Sequence, residues 1–407
     1  MLWIIAWKNI WRNKVRSLVV IIAVTIGLSG GLFTSAFMEG MVKQRIKSSI
    51  EYEVSSIQIH DPLFSLNKEV KDTIRHASRI RHFLDTCKAV RSWSARLKVN
   101  GMIASANAGA GIIINGIHPE KEKKVTAVHT AVADSNGSYF GDEKKNAIVI
   151  GEKLAVKLKV KLRSKVILTF QSPDGSIINA GFKVTGIFKT VNTSFDEINV
   201  FVRDSQLCEL LGFSYLSSHE IAVVTKDDLL TSATRSQLAG LFPQAEILDW
   251  KKINPELGMM AEMGNQMLYI LLVIILLALS FGIINTMLMA ILERTREIGM
   301  LMAVGMSRAR IFVMIIIETV MLTLTGSFAG MALTAAAVAH FGVAGINLSY
   351  FSQGLEDMGY AAIVYPYMQP LLYINITLLV ILTGFISSVI PARKALKLRP
   401  VEAIRVL

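Results

Sequence analysis

The stretch that decides the fold lies at residues 267–312 and reads MLYILLVIILLALSFGIINTMLMAIL, followed by ERTREIGMLMAVGMSRARIF. Its first part, residues 267–292, carries no charged side chain. A helix needs about 20 apolar residues to cross the hydrocarbon core of a bilayer. The run therefore predicts a membrane-spanning helix, and the charged residues after it predict a return of the chain to water.

The segment that follows, residues 293–310, predicts a short amphipathic helix between two membrane spans. It opens with side chains of alternating sign, and Met300, Leu301 and Val304 fall at positions that share one helix face. A glycine and a serine near its end predict a stop before the next apolar run. Taken as spacing alone, this pattern is typical of an ordinary basic turn. An exposed apolar face nevertheless favours docking into the groove of a partner.

The series E-R-T-R-E-I-G-M-L-M-A-V-G-M-S resembles the signature of the FtsX-like permease family. This family includes the macrolide-exporter, lipoprotein-releasing and cell-division permeases of bacterial ABC transporters, in which the loop is the coupling helix that contacts a separate ATPase subunit. The resemblance implies an ATPase-coupling role for Glu293, Arg294, Arg296, Glu297, Ile298, Gly299, Leu301, Ala303, Gly305 and Ser307.

The composition indicates a membrane domain joined to a water-exposed domain. Hydrophobic residues make up 52% of the 407 residues, which is too apolar for a wholly soluble chain, yet 18% are charged. Residues 1–17, 293–310 and 391–407 together hold 13 Lys or Arg against 3 Asp or Glu, whereas residues 341–370 hold no Lys or Arg. The positive-inside rule therefore places both termini and the central loop in the cytosol. With the resemblance, this predicts a multi-pass protein of the bacterial inner membrane whose large domain is periplasmic.

Residues 1–17 predict an amphipathic helix that lies in the cytosolic membrane interface. Trp3, Trp7 and Trp11 recur every four residues, and basic residues occupy the other face. A simple flank of the first membrane helix is the alternative. The apolar run that follows is long and ends without a good cleavage site, so we predict an uncleaved anchor. The first membrane helix and its extension are predicted at residues 18–52.

Residues 53–254 predict an extracytoplasmic α/β domain. Stretches such as VSSIQIH, GIIINGI, AIVIG and EIAVVT predict strands, and KDTIRHASRIRHFLDTC and DLLTSATRSQLAGLF predict helices. Pro119 and the charged run after it predict a surface loop. The series A-I-V-I-G-E-K-L-A and V-T-G-I-F resemble the family's periplasmic domain, and D-W-K-K-I-N-P-E-L is similar to its lipoprotein-releasing branch. This chain has Arg163 and Ser164 in a turn where that family often has glycine.

The sequence holds two cysteines, Cys87 and Cys208, both in the middle domain. An oxidising periplasm would allow them to form a disulfide. Two unlinked, buried thiols fit the spacing equally well.

The start of the second long helix is marked by Asn254, Pro255 and Glu256, which are suited to the N-cap and the first turn. A helix over residues 255–292 is about 57 Å long at 1.5 Å per residue. Because the bilayer core is about 30 Å thick, we predict that the excess forms a stalk under the soluble domain.

Two further membrane helices are predicted at residues 311–340 and 371–390, with an apolar outer loop at residues 341–370 between them. Glu318 lies inside the third helix, where we favour a packing or hydrogen-bonding role near the cytosolic side over proton transport. Two G-x-x-x-G pairs allow helices to approach closely, within one subunit or between two. The candidate membrane-interface residues are Gly27, Gly31, Glu318, Gly326 and Gly330.

Pro391 predicts the end of the last helix, and residues 391–407 predict a cytosolic tail. The series P-A-R-K-A-L-K-L-R-P-V-E-A-I-R resembles the family's C-terminal signature, which lies beside the ATPase interface. The resemblance implies this location for Pro391, Ala392, Arg393, Ala395, Pro400, Ala403 and Arg405.

Motifs for nucleotide phosphates and for metalloprotease zinc do not occur in the sequence, which lacks G-x-x-x-x-G-K-[ST] and H-E-x-x-H. Its seven histidines show no metal-ligand spacing. We therefore expect no catalytic residue, no cofactor and no metal in this chain, with ATP and Mg²⁺ bound by a partner ATPase. The net charge of +12 does not predict nucleic-acid binding, because the middle domain has no cluster of basic and aromatic residues.

These patterns predict the permease subunit of an ABC transporter that transmits ATP-driven motion from the ATPase, through residues 293–310 and the long second helix, to the periplasmic domain. As the resemblance implies, two permease chains, identical or paralogous, would pair with two ATPase chains within the membrane lipid. The substrate would be a lipoprotein for release, or a macrolide or peptide for efflux. A regulator of a periplasmic hydrolase that transports nothing is the alternative, although the size of the middle domain favours transport.

Overall fold

The computed structural model describes residues 2–12, 14–140 and 145–396. The chain forms two compact units. The first unit comprises Met1–Val42, Met263–Asn347 and Ile363–Leu407, and the second comprises Lys43–Glu262 and Leu348–Ala362, each as far as it is described.

The helices are best given together in chain order. They are α1 (Leu2–Arg12), α2 (Lys14–Ser48), α3 (Pro62–Asn67), α4 (Ala77–Thr86), α5 (Pro119–Glu122), α6 (Glu152–Leu158), α7 (Thr193–Ile198), α8 (Asp204–Leu211), α9 (Leu229–Leu241), α10 (Trp250–Ile253), α11 (Pro255–Glu293), α12 (Thr295–Ala303), α13 (Arg308–Ala344), α14 (Ser352–Asp357) and α15 (Pro370–Leu396).

The strands are short except for the two central hairpins. They are β1 (Ile57–His60), β2 (Val90–Ala104), β3 (Gly109–Ile117), β4 (Val132–Gly137), β5 (Ala147–Gly151), β6 (Lys165–Gln171), β7 (Ile177–Phe188), β8 (Asn199–Arg203), β9 (Glu220–Thr225), β10 (Glu246–Asp249), β11 (Ile346–Asn347) and β12 (Ile363–Val364).

Within the described residues, four helices are long and apolar enough to cross a membrane: α2, α11, α13 and α15. This confirms the predicted membrane α-helical class with four spans. Leu28, Leu272 and Ile376 come from three of these helices and are fully buried in one apolar cluster. Helix α11 has 39 residues, about 58 Å at 1.5 Å per residue, and Asn254 caps its start by accepting a hydrogen bond from Leu257 N (3.3 Å).

The second unit is an α/β domain around one mixed sheet of ten strands, which confirms the predicted class. The strand order is β10-β1-β9-β2-β3-β8-β5-β7-β4, and β6 pairs with both β2 and β7. The pairs β3–β8 and β5–β7 are parallel, and the other pairs are antiparallel. Strands of the apolar type, such as Ala147–Gly151, are buried on both faces because helices pack against the sheet.

Within residues 1–17, predicted as an amphipathic helix, the three tryptophans all lie in α1. Helix α1 ends at Arg12 and α2 begins at Lys14. Ser17 Oγ donates a hydrogen bond to Ile10 O (2.5 Å), so a side chain satisfies one of the carbonyls that the end of α1 leaves without a partner.

Proline 391 does not end the last helix, which contradicts the prediction that this residue terminates it. Helix α15 continues through Pro391 to Leu396. A proline inside a helix costs about 3 kcal/mol because a backbone hydrogen bond is lost. Ala392 and Ala395 lie fully buried in an apolar cluster with Ile311, and we attribute the continuation of the helix to this packing.

Two predicted elements of the α/β domain are also corrected. The helix predicted over residues 71–87 is only Ala77–Thr86, because His76 takes a left-handed conformation (φ 55°) and Ile74 N donates to Ser218 O (2.9 Å). The run after Pro119 begins as the short helix α5 and not as a loop. Lys121, Lys123 and Lys124 are exposed, as predicted, whereas Glu122 is completely buried.

Candidate functional site

The predicted coupling segment folds as the short helix α12, bounded on both sides by residues suited to helix ends. Arg294 separates it from α11, and Gly305 follows it with φ +100°, a conformation that glycine adopts readily. Ser307 then caps α13 by accepting a hydrogen bond from Arg310 N (3.4 Å). The sequence signals for a stop and a restart therefore coincide with the observed ends of the helices.

Helix α12 presents one apolar side to the exterior and buries the other. Ile298 and Gly299 are buried, and Ile298 belongs to the same apolar cluster as Ile311 and Ala392. Met300 is 49% exposed and Val304 is 89% exposed. Of the three residues predicted to share an exposed apolar face, Leu301 is instead half-buried.

A network of charged side chains holds α12 against the neighbouring helices. Arg294 Nη1 donates to Glu318 Oε1 at 2.8 Å, and Arg294 Nη2 donates to Asn9 O at 3.0 Å. The side chains of Arg294 and Glu318 are only 13% and 10% exposed. Glu297 pairs with Arg12 and lies 3.9 Å from Arg294 Nε. The acid inside the third span therefore serves as an anchor for the loop, the packing role that its position favours.

A recess of about 500 Å³ lies beside this network, between α1, α11, α12 and α13. Its walls combine the charged groups of Arg12, Arg294 and Glu318 with apolar side chains such as Met314. The remaining lining residues are Ile5, Asn9, Met287, Ala290, Ile291, Glu297, Ile298, Met300, Leu301, Val304 and Ile315. Displacement of α12 would therefore disturb contacts to three other helices at once.

The candidate tail residues are divided by their burial. Pro391, Ala392 and Ala395 are buried in the membrane unit, and Arg393 is exposed. The predicted residues Pro400, Ala403 and Arg405 lie outside the described part of the chain. The other coupling candidates are exposed at Glu293, Arg296, Ala303 and Ser307.

Both G-x-x-x-G pairs serve packing within this chain. A Cβ atom on Gly27 or Gly31 would lie 3.0 Å or 2.2 Å from the side chains of α11. A Cβ atom on Gly326 would lie 2.9 Å from Val24 Cβ and 3.0 Å from a backbone carbonyl of α2, and Gly330 likewise faces α2. Thr25 Oγ1 donates to Gly326 O (3.0 Å) across this contact. The small residues thus allow α2 to pack closely against α11 and α13.

The α/β domain contains a buried charged cluster that sequence reasoning missed. Arg96 donates to Glu122 Oε1 (2.6 Å, from Nη2) and to Glu220 Oε1 (2.5 Å, from Nη1). Lys98 Nζ lies 2.6 Å from Glu220 Oε2. Burial raises the pKa of Glu220, but the nearby charges of Lys98 and Arg96 outweigh it and lower the pKa to about 2. The two acids and two bases neutralise one another, which suits a structural core.

A histidine beside this cluster is held in its neutral form. His219 Nδ1 accepts from Lys98 N (3.0 Å), and His219 Nε2 donates to Val70 O (2.7 Å). Burial lowers the pKa of His219 to about 4. Only the alternation of polar residues along β2 and β9 hinted at these contacts, and alternation does not reveal which charges meet.

The two cysteines are free thiols and lie in different apolar clusters of the α/β domain. Cys208 is buried, and burial raises the pKa of its thiol to about 11. Of the alternatives left open by the spacing, the structure therefore has the unlinked pair.

Among the residues that the structure describes, no group of three or more His, Cys, Asp or Glu side chains is arranged to hold a metal ion.

Two family models match this chain. The MacB-like periplasmic core domain matches residues 17–241, more than half of the chain. The C-terminal model of the FtsX-like permeases matches residues 269–400, which include α12 and Glu318.

Curated relatives agree with these matches. An uncharacterised ABC transporter permease, YknZ of Bacillus subtilis (strain 168), is 28% identical over 56% of this chain and 53% of its own length. The macrolide export ATP-binding/permease protein MacB of Brucella melitensis is 28% identical over 57% of this chain and 36% of its length. The lipoprotein-releasing system transmembrane protein LolC of Neisseria meningitidis serogroup B is 24% identical over 79% of this chain and 80% of its length. The chain thus spans about half or less of the first two relatives.

Among solved structures, the extracellular domain of YknZ from Gram-positive bacteria is 17% identical and is matched over 48% of this chain and 99% of that domain, with a TM-score of 0.34. The periplasmic region of MacB from Actinobacillus actinomycetemcomitans is 13% identical and is matched over 50% of this chain and 92% of that region, with a TM-score of 0.32.

Proposed function

This chain belongs to the FtsX-like permease family and carries a MacB-like periplasmic core domain, and on that premise we propose that it is the membrane subunit of an ABC transporter. In this proposal α12 is the element on which an ATPase subunit acts. ATP and Mg²⁺ are bound by that partner and not by this chain.

The observation that carries the proposal is the two-sided character of α12. Met300 in α12 and Val304, the residue after the helix, expose apolar side chains, while Ile298 on the other side is buried. A short helix with an apolar outer side fits into a groove of a partner protein. Because the buried Arg294–Glu318 pair ties the loop to α13, a push on α12 is transmitted to the membrane helices.

The proposed complex contains a second permease chain, identical or paralogous, and lies in the inner membrane with both termini in the cytosol. Support comes from the excess of Lys and Arg in residues 1–17 and 293–310 over residues 341–370. In this orientation the α/β domain is periplasmic, in agreement with the name of the family model that matches it.

The experiment that tests the coupling role is co-purification of an ATPase from native membranes in mild detergent. Val304→Glu adds a charge at the most exposed apolar position of the loop. We expect it to reduce the recovered ATPase at least about tenfold, since a charge that is buried without a partner at an interface costs more than 1.4 kcal/mol. Gly305 is less suitable for mutation, because its φ of +100° strains any other side chain.

Val343→Glu is the matched control, since Val343 is a valine of similar exposure (84%) at the other end of α13. It should leave the ATPase bound. Recovery of no ATPase with the unaltered chain, or equal recovery with Val304→Glu, would refute the coupling role.

As substrate class, we propose a lipoprotein that is released from the membrane. Support comes from LolC, named as a lipoprotein-releasing protein, which is matched over 80% of its length, whereas the Brucella macrolide exporter is matched over 36%. The test uses proteoliposomes that contain the purified complex and an acylated lipoprotein. ATP should transfer the lipoprotein to the soluble fraction only when the transporter is present. ATP-dependent movement of a macrolide, without release of the lipoprotein, would support efflux instead.

A further inference from the structure

The α/β domain contains a pocket of about 600 Å³ that the coupling function does not use. Pockets that bind small organic ligands are typically about 300–1,000 Å³ in volume. Its floor is one face of the sheet, and part of its wall is α3. The lining residues are Glu53, Val54, Gln58, His60, Phe64, Ser65, Leu66, Lys68, Lys98, Asn100, Ile113, Glu220, Glu246, Leu248, Lys252 and Ile253.

Strand register brings the polar groups of the floor together. His60 of β1 pairs across the sheet with Glu246 of β10 on one side and with Glu220 of β9 on the other. Lys98 of β2 reaches Glu220 with its ammonium group at 2.6 Å. Side chains from four strands are therefore close together on the floor of the pocket, although their residues are spread over nearly 190 positions of the sequence (from 60 to 246).

The pocket is lined by three lysines and three glutamates, but these six side chains are not all paired with one another. Lys98 is paired with Glu220, and Glu53 is paired outside the lining with Arg45 at 2.9 Å. The buried Arg96 and Glu122 neutralise each other behind the floor. Two ammonium groups, those of Lys68 and Lys252, then remain against the single carboxylate of Glu246. With the charge of Glu53 compensated by Arg45 from outside the lining, the groups that are left without an ion pair carry one excess positive charge when His60 is neutral.

His60 adds no charge at neutral pH. It is 5% exposed, and burial lowers its pKa, with Lys98 and Lys68 acting in the same direction and Glu220 opposing them. The count of one excess positive charge therefore applies at physiological pH.

Several of these polar groups lack partners in the described part of the chain. Neither Lys68 nor Lys252 has an ion pair with a carboxylate there, and Lys68 Nζ lies 5.2 Å from the ring centre of Phe64. Burial and the nearby Lys98 lower the pKa of Lys68, so the site disfavours its positive charge as it stands. Glu246 Oε2 is buried and has no hydrogen-bond partner among the described residues.

The walls of the pocket supply apolar surface beside these charges. Phe64 is buried and lies nearly parallel to two histidine rings, with centroid distances of 6.1 Å to His60 and 4.6 Å to His219. Leu248 and Ile253 extend the apolar wall. A ligand that matches both the excess positive charge and this wall has an anionic head and a short apolar chain.

We propose that this pocket binds a small organic anion, an alkyl carboxylate or alkyl phosphate, whose head contacts Lys68 and Lys252 and whose chain lies on the apolar wall. A hydroxyl or amino group near the head would donate to Glu246 Oε2 and satisfy that buried oxygen. The proposal does not depend on the coupling role of α12, and it would stand if no ATPase associated with the chain.

The test is titration calorimetry of the full chain in nanodiscs of zwitterionic lipid, with empty nanodiscs as the blank. Hexanoate, hexyl phosphate, hexan-1-ol, hexylammonium and inorganic phosphate are the probes, because the first four share one chain and differ in charge. We expect hexanoate or hexyl phosphate to bind, and whichever of the two binds more tightly identifies the head group. Hexan-1-ol, hexylammonium and inorganic phosphate should bind at least about tenfold more weakly, since a charge-assisted hydrogen bond is lost or the apolar contact is absent.

Lys68→Gln is the test variant and should weaken binding of the anionic probe at least about tenfold. Lys71→Gln is the matched control, because Lys71 is a lysine three residues away whose exposed ammonium pairs with Glu69 outside the pocket. Should Lys68→Gln fail to fold by circular dichroism, Lys252→Gln replaces it. Absence of heat above the blank for both anions, equal affinity in Lys68→Gln and the unaltered chain, or preference for hexylammonium would overturn the proposal.

Discussion

The ion pair between Arg294 and Glu318 offers the sharpest test of how the coupling loop is held. We consider the variants Arg294→Met and Glu318→Leu and the double variant, which replace the charges with apolar groups of comparable size. At the observed 2.8 Å, two unit charges attract by about 6 kcal/mol if the effective dielectric constant is about 20. The desolvation of both groups offsets a large part of this.

Each single variant leaves one charge buried without its main partner, so we expect each to lower the free energy of unfolding by about 3–5 kcal/mol. The double variant leaves no buried charge and should lose clearly less than the sum of the two. The resulting coupling energy should be about 2–3 kcal/mol, at the upper end of measured pair interactions. Arg294→Met also removes the donor to Asn9 O, which adds to the cost of that variant alone.

The assay is unfolding of the chain in mild detergent by added SDS, followed by circular dichroism. The pair Arg12 and Glu297 in the same region is the matched control, because these side chains are 54% and 41% exposed. Exposed pairs contribute about 0–1 kcal/mol, so that cycle should give a small coupling energy. Additive losses in the Arg294–Glu318 cycle, or equal coupling in the two cycles, would refute the view that a buried ion pair anchors the loop.

Three further predictions concern stability and use the same unfolding assay. Gly326→Ala should destabilise the chain by about 1–3 kcal/mol, because the added methyl group overpacks the contact with α2. Gly30 has open space around it, so the control Gly30→Ala should be neutral or slightly stabilising. Equal effects of the two variants would contradict this packing. Arg163 has φ +67°, so Arg163→Gly should stabilise the chain by about 0.5–1 kcal/mol through release of left-handed strain, and a loss of stability would argue against strain there. Burial holds the pKa of His219 at about 4, below its ordinary 6.5. The free energy of unfolding should therefore be highest above pH 6.5 and should fall by about 3 kcal/mol as the pH drops from 6.5 through 4. The pKa of Glu220 is also lowered, to about 2, so stability falls further as the pH drops below 4.5. His219→Gln should reduce the loss between pH 6.5 and 4 without abolishing it, because burial lowers the pKa of His60 as well.

The turn at Arg163 also explains a difference between this sequence and the family it resembles. The sequence places arginine where that family often has glycine, and the structure gives this residue a left-handed backbone. Glycine adopts that conformation with little strain. Arg163 therefore occupies a backbone position that suits glycine better, and its N donates to Val184 O (2.8 Å).

The sequence by itself determined the features that depend on local composition. Long apolar runs specify membrane-length helices whatever their neighbours are, because a chain in lipid must satisfy its backbone hydrogen bonds within the segment. The asparagine and proline that open α11, and the glycine and serine that separate α12 from α13, act through their own backbone and side-chain geometry. Strands of alternating or continuous apolar residues were predicted for the same reason.

Only the tertiary structure decided which distant groups meet. The sequence predicts that Glu122 is part of a charged surface loop. In the structure it is buried and forms an ion pair with Arg96 of β2. Pro391 predicts the end of a helix, but the helix continues, because the residues after the proline are packed in an apolar cluster. The physical reason is common to these cases. Burial and pairing depend on what lies across an interface, and such partners are set by sheet register and helix contacts that the local sequence does not encode.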